Sequence, residues 1–140
     1  MCAATVGRQA VNTYHAGNAC RARDYVHEWG HVLGLFHEHS RNDRNQYITA
    51  TSSLGGTIGG GGYDSGAYDF GSIMHYDAYA RNYDGSVNYA QVLITPLDGR
   101  PLSSFGWNSV PSAGDISTVY WLYWTWTEPP CGGSTGTICP

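Results

Sequence analysis

The chain has 140 residues, of which 41% are hydrophobic and 14% aromatic, and its formal net charge is −4. This length and composition are typical of one folded domain with a modest core, and they exclude an intrinsically disordered chain. All seven basic residues are arginines, and the net charge of −4 leaves no basic stripe, so the sequence does not favour nucleic-acid binding. No apolar run is long enough to span a bilayer.

The first third of the chain predicts two short strands followed by a helix. We assign residues 3–7 and 9–14 to the strands. The helix is predicted to begin between residues 21 and 24 and to run to Leu33, with Asp24 placed favourably for the positive end of the helix dipole.

Two faces of this helix are expected to have different roles. Val26, Trp29 and Leu33 are predicted to face the core by simple packing. His27 and His31 are four residues apart, so they share one face and can present two imidazoles to a single metal ion.

Residues 27–37 match the extended zinc-protease pattern HExxHxxGxxH. Glu28 lies between the first two histidines in sequence, where its carboxylate can reach a metal-bound water without ligating the ion. Gly34 can adopt the left-handed conformation that ends a helix and so bring in His37 as a third ligand. An isolated HExxH arises by chance, but the added glycine and histidine at fixed offsets favour a catalytic zinc site with an open position.

The region after the helix is predicted to be mostly loop, because residues 38–70 show little periodicity and many turn formers. Its glycine-rich stretch at 55–62 indicates a flexible surface loop, since no GxxxxGK[ST] phosphate-binding pattern accompanies it. Asp43 and Arg44 are expected to form a polar pair that braces the lobe. The histidines assigned structural or surface roles are His15, His39 and His75.

The next segments predict a methionine turn, a hairpin and a final helix. Residues 72–76 spell SIMHY, which supplies the methionine turn expected after this type of zinc helix. Residues 82–86 carry an Asp-Gly hairpin signal and are followed by alternating residues up to Leu97. Ser112 and Asp115 form a variant of the capping box that opens the last helix.

The last helix carries an aromatic cluster. A carbohydrate or substrate platform is one interpretation, but core packing is favoured, because aromatic side chains dominate core energetics. The cluster consists of Tyr120, Trp121, Tyr123, Trp124 and Trp126.

With HExxHxxGxxHE at residues 27–38 and SxMHY at residues 72–76, the chain resembles the astacin family of secreted metzincin endopeptidases. Residues 2–9 look like the family's edge strand, residues 91–97 like a later strand and residues 115–123 like its C-terminal helix. The resemblance implies an α+β, metzincin-type zincin fold. Its parts would be an active-site helix, a small, truncated β-sheet and a loop-rich C-terminal lobe that ends in a helix.

The resemblance also implies a domain organisation. Residues 1–140 would form a single, partial peptidase domain, with residues 1–37 as the remnant of the N-terminal lobe and residues 38–140 as the C-terminal lobe. The strands and helix that precede the edge strand in the family are expected to be missing upstream. In the family, the glutamate at the position of Glu38 meets the freed amino terminus, and Met1 is not placed like that terminus.

The function implied by the resemblance is zinc-dependent hydrolysis of peptide bonds in proteins or peptides, with one catalytic Zn²⁺. Glu28 would act as the general base on a zinc-bound water, and Tyr76 would ligate the resting metal and then stabilise the oxyanion. Met74 would form an apolar floor under the histidines. The implied metal ligands are His27, His31, His37 and Tyr76.

The four cysteines favour disulfides, because none forms a CxxC motif and histidines already provide the zinc site. Disulfides indicate an oxidising compartment, hence a secreted protein. By resemblance Cys2 pairs with Cys20, whereas Cys131 either bonds Cys139 or stays free.

Two other functional classes remain open from the sequence. One is a catalytically weak or inactive zinc-binding fragment of such a protease, against which the intact Glu28 argues. The other is a non-catalytic adhesive domain that uses its tyrosines and tryptophans. The sequence leaves the oligomeric state open.

Overall fold

The computed structural model describes residues 2–7, 11–16, 20–54 and 62–124. Its regular elements in these ranges are β1 (Cys2–Ala4), β2 (Tyr14–Ala16), α1 (Ala22–Val32), β3 (Ile48–Ala50), β4 (Tyr79–Arg81), β5 (Val87–Val92), β6 (Ile94–Pro96) and α2 (Ala113–Trp124). The strands pair into three antiparallel sheets, β1 with β2, β3 with β6 and β4 with β5. Neither described helix is long and apolar enough to cross a membrane.

A disulfide ties the first strand to the start of α1. Cys2 and Cys20 are bonded, as predicted from the resemblance. The second strand was predicted at residues 9–14, of which 9 and 10 lie outside the described residues. The described strand is Tyr14–Ala16, because the partners of β1 are Tyr14, His15 and Ala16. Cys131, Cys139, Trp126 and most of the stretch 55–62 lie outside the described residues.

The predicted hairpin is confirmed, since β4 and β5 pair on either side of residues 82–86. Residues 91–97, which the resemblance implied to be one later strand, instead contain the end of β5 and all of β6, separated by Leu93. The Leu93 N–H donates to Ala78 O at 2.7 Å, and its carbonyl accepts from Thr51 N at 2.9 Å. Leu93 therefore marks the point where the chain changes partner, from β4 to the β3 strand that the sequence did not predict.

The helix α1 is confirmed at its predicted position, but two of its three predicted core residues are wrong. Val26 packs against the cluster of Leu35, Ile73 and Met74, whereas Trp29 is 59% and Leu33 37% exposed. Trp29 and Leu33 are four residues apart and share a face. In the described part of the chain, α1 buries its Glu28, Gly30 and His31 side instead.

The helix α2 begins with the predicted capping box. Ser112 N donates to Asp115 Oδ2 at 2.8 Å, and Asp115 N donates to Ser112 Oγ at 3.0 Å. Its contact with the rest of the fold runs through Asp115, Val119 and Leu122, a helical stripe at i, i+4 and i+7.

The prediction that the aromatic cluster of α2 packs in the core is wrong for three of its members. These positions fall outside the buried stripe, and their side chains are 59% to 65% exposed: Tyr120, Trp121 and Trp124.

The predicted pair of Asp43 and Arg44 is also wrong. Asp43 accepts two hydrogen bonds from Arg41, both at 2.9 Å, and Arg44 donates to the His39 carbonyl at 2.9 Å. Arg41 also donates to the carbonyls of residues 65–67. It is therefore Arg41, paired with Asp43, that braces this loop.

Candidate metal centre

Three histidine side chains converge beside α1. The Nε2 atom of His37 lies 3.2 Å from Nε2 of His27 and 3.1 Å from Nε2 of His31. His27 and His31 are one turn apart on α1, and the chain reverses after the helix at Gly34, whose φ is +97°. This left-handed residue is the turn that the sequence predicted, and it brings His37 to the other two imidazoles.

Two carbonyl groups fix the protonation of the helix histidines. His27 Nδ1 lies 2.8 Å from the Ile73 carbonyl, and His31 Nδ1 lies 2.8 Å from the Leu35 carbonyl. Since a carbonyl can only accept, each Nδ1 carries the proton and each Nε2 keeps its lone pair. A proton on His37 Nε2 could be donated to only one of these two lone pairs at a time, whereas a single cation can bind all three nitrogens.

This donor set fits a zinc ion. Two nitrogens at about 2.0–2.1 Å from one tetrahedral zinc lie roughly 3.3–3.4 Å apart, close to the separations seen here. Burial lowers the pKa of all three imidazoles, and for His37 the neighbouring histidines lower it further, to about 2. The side chains are therefore held in the neutral form that ligates metal.

Glu28 presents a buried carboxylate with a free oxygen. The residue is 6% exposed, and among the described residues its Oε2 has no hydrogen-bonding partner. Burial raises the pKa of the Glu28 carboxyl, an effect that His31 and the N–H of Ala4 in β1 partly oppose. A carboxylate with a raised pKa and an unused acceptor is suited to take a proton.

Tyr76 lies over the third histidine. Its ring centroid is 4.5 Å from that of His37 and 4.3 Å from that of His39, and the residue is 42% exposed. Partial burial and the Glu28 charge raise the pKa of Tyr76. The phenol is thus neutral and can donate a hydrogen bond from the edge of the site.

The methionine turn at residues 72–76 underlies the histidines. Met74 is 1% exposed, and a Cβ on Gly30 would stand only 2.5 Å from its sulfur, so the thioether lies against the helix backbone. The Glu38 N–H donates to the Met74 carbonyl at 3.1 Å. The turn therefore contacts the helix and the segment of the third histidine together.

A second segment supports this turn from behind, and no sequence pattern predicted it. Arg23, one turn before His27, donates to the Gly106 carbonyl at 2.7 Å across a separation of 83 residues. Gly106 itself packs on the peptide between Tyr76 and Asp77. A contact between residues so far apart leaves no local pattern in the sequence.

A cavity of about 380 Å³ opens behind His37. Its acidic lining residues include Glu38, Asp69 and Asp115. The Glu38 carboxylate accepts from the Asp69 N–H at 2.8 Å and lies 3.4 Å from Arg41, while burial raises the pKa of Glu38 to about 7. The residue that follows the third histidine is thus turned away from the three Nε2 atoms.

Comparison with known proteins identifies the family of this chain. The sequence profile of the Astacin peptidase family matches residues 1–54. Nematocyst expressed protein 6 of Nematostella vectensis is 34% identical over an alignment of 140 positions, and this alignment covers 87% of this chain and 46% of that protein. Zinc metalloproteinase nas-8 of Steinernema carpocapsae is 38% identical over an alignment of 140 positions, and this alignment covers 82% of this chain and 31% of that protein.

A solved structure shows the same fold. High choriolytic enzyme 1, a hatching enzyme zinc-protease from Oryzias latipes, matches with a TM-score of 0.68 and 26% identity, over 88% of this chain and 64% of that chain. The chain belongs to the astacin family. The predicted α+β, metzincin-type fold is confirmed for this astacin, but its described strands form three two-stranded sheets instead of the one small sheet predicted. The chain spans less than half the length of these two curated relatives.

Proposed function

We propose that this astacin chain is a zinc-dependent metalloendopeptidase that hydrolyses peptide bonds in proteins. The observation that carries the proposal is the convergence of three neutral imidazole nitrogens next to a buried carboxylate with a free oxygen. Relatives whose names describe zinc metalloproteinases, such as nas-8 and nas-30, support the class of activity.

The side chains that would hold the zinc ion are those of His27, His31 and His37, with Tyr76 as a further ligand. A zinc ion bound there supplies a Lewis acid that polarises a carbonyl group and lowers the pKa of water to about 7. Met74 does not ligate. It fills the space under the histidines and keeps the floor of the site dry.

Glu28 would move the proton. Its free Oε2 accepts a proton from the attacking water, and the same carboxyl then returns it to the nitrogen of the leaving amine. The raised pKa of Glu28 favours this exchange, because an acid that holds its proton more firmly is a better base when ionised.

Tyr76 and β1 would orient the substrate. The Tyr76 hydroxyl donates a hydrogen bond to the carbonyl oxygen as that oxygen gains negative charge. The strand β1 runs beside Glu28, where an extended peptide can add to it by backbone hydrogen bonds. The substrates would therefore be protein segments in extended conformation.

The disulfide between Cys2 and Cys20 supports an oxidising compartment. We therefore propose that the protein is secreted.

Metal analysis and a cleavage assay test the proposal together. The oxidised chain should bind one zinc ion and cleave casein, and a chelator should abolish the cleavage. Glu28→Ala serves as the matched control, since it should keep the zinc and lose the cleavage. Stoichiometric zinc without cleavage in the wild-type chain would reject the enzyme in favour of a zinc-binding module. A chain that binds no zinc would reject both.

A further inference from the structure

A continuous chain of hydrogen bonds joins the zinc helix to α2 through the methionine turn. His27 Nδ1 donates to the Ile73 carbonyl at 2.8 Å. The N–H of the same peptide group, on Met74, donates to Ser72 Oγ at 2.9 Å. The Ser72 hydroxyl donates in turn to Asp115 Oδ1 at 2.6 Å. Every donor in the chain points towards the Asp115 carboxylate.

The hydrogen-bond chain is buried from Ser72 to Asp115. Ser72 is 2% and Asp115 7% exposed, so water does not screen the carboxylate charge as it would at the surface. Hydrogen bonds aligned in one direction polarise one another, by roughly 10–30% per bond. The negative charge of Asp115 therefore acts electrostatically on the imidazole of His27.

The carboxylate at the end of the chain is itself held rigidly. Its second oxygen, Oδ2, accepts the N–H of Ile73 at 2.9 Å and the N–H of Ser112 at 2.8 Å. Asp115 thus fixes the methionine turn at two points, the Ser72 hydroxyl and the Ile73 amide. The carbonyl that accepts the hydrogen bond from His27 belongs to Ile73, the same residue whose N–H donates to Asp115.

We propose that Ser72 and Asp115 are positioning residues for the zinc ligand His27. Zinc-bound histidines commonly donate their other ring N–H to a carboxylate, which orients the ring and raises its basicity. Here a serine and one peptide group lie between the histidine and the carboxylate, and they transmit the same effect. The inference rests on the zinc centre proposed above and adds the part of α2 that supports it.

The structure supplies two matched controls. His31 donates to the Leu35 carbonyl and takes no part in the hydrogen-bond chain from His27 to Asp115, called the relay below. Its ring therefore reports on the site independently of the relay. Ser112 caps α2 by accepting the Asp115 N–H at 3.0 Å, and its side chain takes no part in the link to Ser72. Ser112→Ala should therefore weaken α2 to the extent usual for a lost cap and leave the relay intact.

The experiment measures zinc affinity by chelator competition in the oxidised chain and in its Ser72→Ala, Asp115→Asn and Ser112→Ala variants. Removing a supporting group of a zinc ligand typically costs about 10- to 100-fold in metal affinity. We expect a loss in that range for Ser72→Ala and Asp115→Asn, and a change of less than about twofold for Ser112→Ala.

Proton NMR of the ring N–H groups gives a second readout that does not depend on activity. In Ser72→Ala the Nδ1 proton of His27 should move upfield, because its acceptor is less polarised, while that of His31 should keep its shift. Asp115→Asn tests the relay from its other end should Ser72→Ala not fold.

Three outcomes would overturn the inference. If folded Ser72→Ala or Asp115→Asn binds zinc as tightly as the wild type, the relay from His27 to Asp115 is disproved, and the proposed function is unaffected. An equal loss in Ser112→Ala would assign the effect to the stability of α2. A wild-type chain without zinc affinity would overturn the proposed function and the inference with it.

Discussion

Gly106 lies directly against the backbone of Asp77, with no room between them for a Cβ atom. Its φ of +75° is in the left-handed region, and its carbonyl receives the hydrogen bond from Arg23 on α1. The peptide that carries Tyr76 into the site is therefore supported from behind by a loop that is itself tied to α1.

Gly106→Ala should destabilise the protein much more than an alanine at a glycine with open surroundings. We expect a loss of roughly 2–5 kcal/mol, from the left-handed strain and from the clash with the Asp77 backbone. Gly99 has nearly the same φ, +76°, and a Cβ added to it would meet nothing within 4 Å, so Gly99→Ala should cost only about 1–2 kcal/mol. Denaturant titrations of both variants measure the difference, and equal losses would contradict the close contact.

Glu28→Gln keeps the size of the side chain but removes the proton acceptor. We expect the cleavage rate to fall by about 10²–10⁴, the usual contribution of a general base, with zinc content unchanged. Steady-state kinetics and metal analysis on the same preparation check this. A variant as active as the wild type would eliminate Glu28 as the base.

Tyr76→Phe removes one hydroxyl from the edge of the site. If that hydroxyl stabilises the oxyanion, kcat should fall by about 10²–10³ while zinc content changes little. Zinc loss as the main effect would show instead that the tyrosine chiefly holds the metal. Kinetics at saturating zinc distinguishes these results.

The disulfide between Cys2 and Cys20 should stabilise the fold mainly by restricting the unfolded chain. The two cysteines are 18 residues apart, and closing a loop of that length contributes about 3 kcal/mol in the chain-entropy model. The double variant Cys2→Ser and Cys20→Ser should lose that much in denaturant titrations. The single variants Cys2→Ser and Cys20→Ser are the controls, and each should show the same loss, because either one prevents the bond. Free thiols at both Cys2 and Cys20 in peptide maps of oxidised protein would disprove the bond.

The parts of this fold that follow from the sequence are those set by neighbouring residues. The positions of His27 and His31 on one helix face, the turn at Gly34, the Asp-Gly hairpin and the capping box of α2 all depend on spacings of a few residues, and the structure contains each of them. Local geometry fixes such features before any tertiary contact forms.

Burial and long-range partners did not follow from the sequence. Trp29 is a large apolar residue of the kind that usually packs in a core, but it is exposed here, because burial depends on which elements pack against α1. Ser72 and Asp115 are 43 residues apart. The sequence already accounts for each of them locally, Ser72 in the methionine turn and Asp115 in a helix cap. Nothing in the order of residues indicates that the two side chains meet.

His27 and His31 donate hydrogen bonds to carbonyls outside α1, and a chelator therefore affects more than the metal. The helix α1 has 11 residues, a length at which an isolated helix is marginal in water. Its imidazoles are oriented by carbonyls outside the helix, one directly after it and one in the methionine turn. Metal occupancy and folding are then thermodynamically linked, and free zinc at 1,000 times its dissociation constant adds about 4.1 kcal/mol to the free energy of unfolding. Inhibition by chelation would in that case be conformational as well as chemical, and a lowered melting temperature would report it without any substrate.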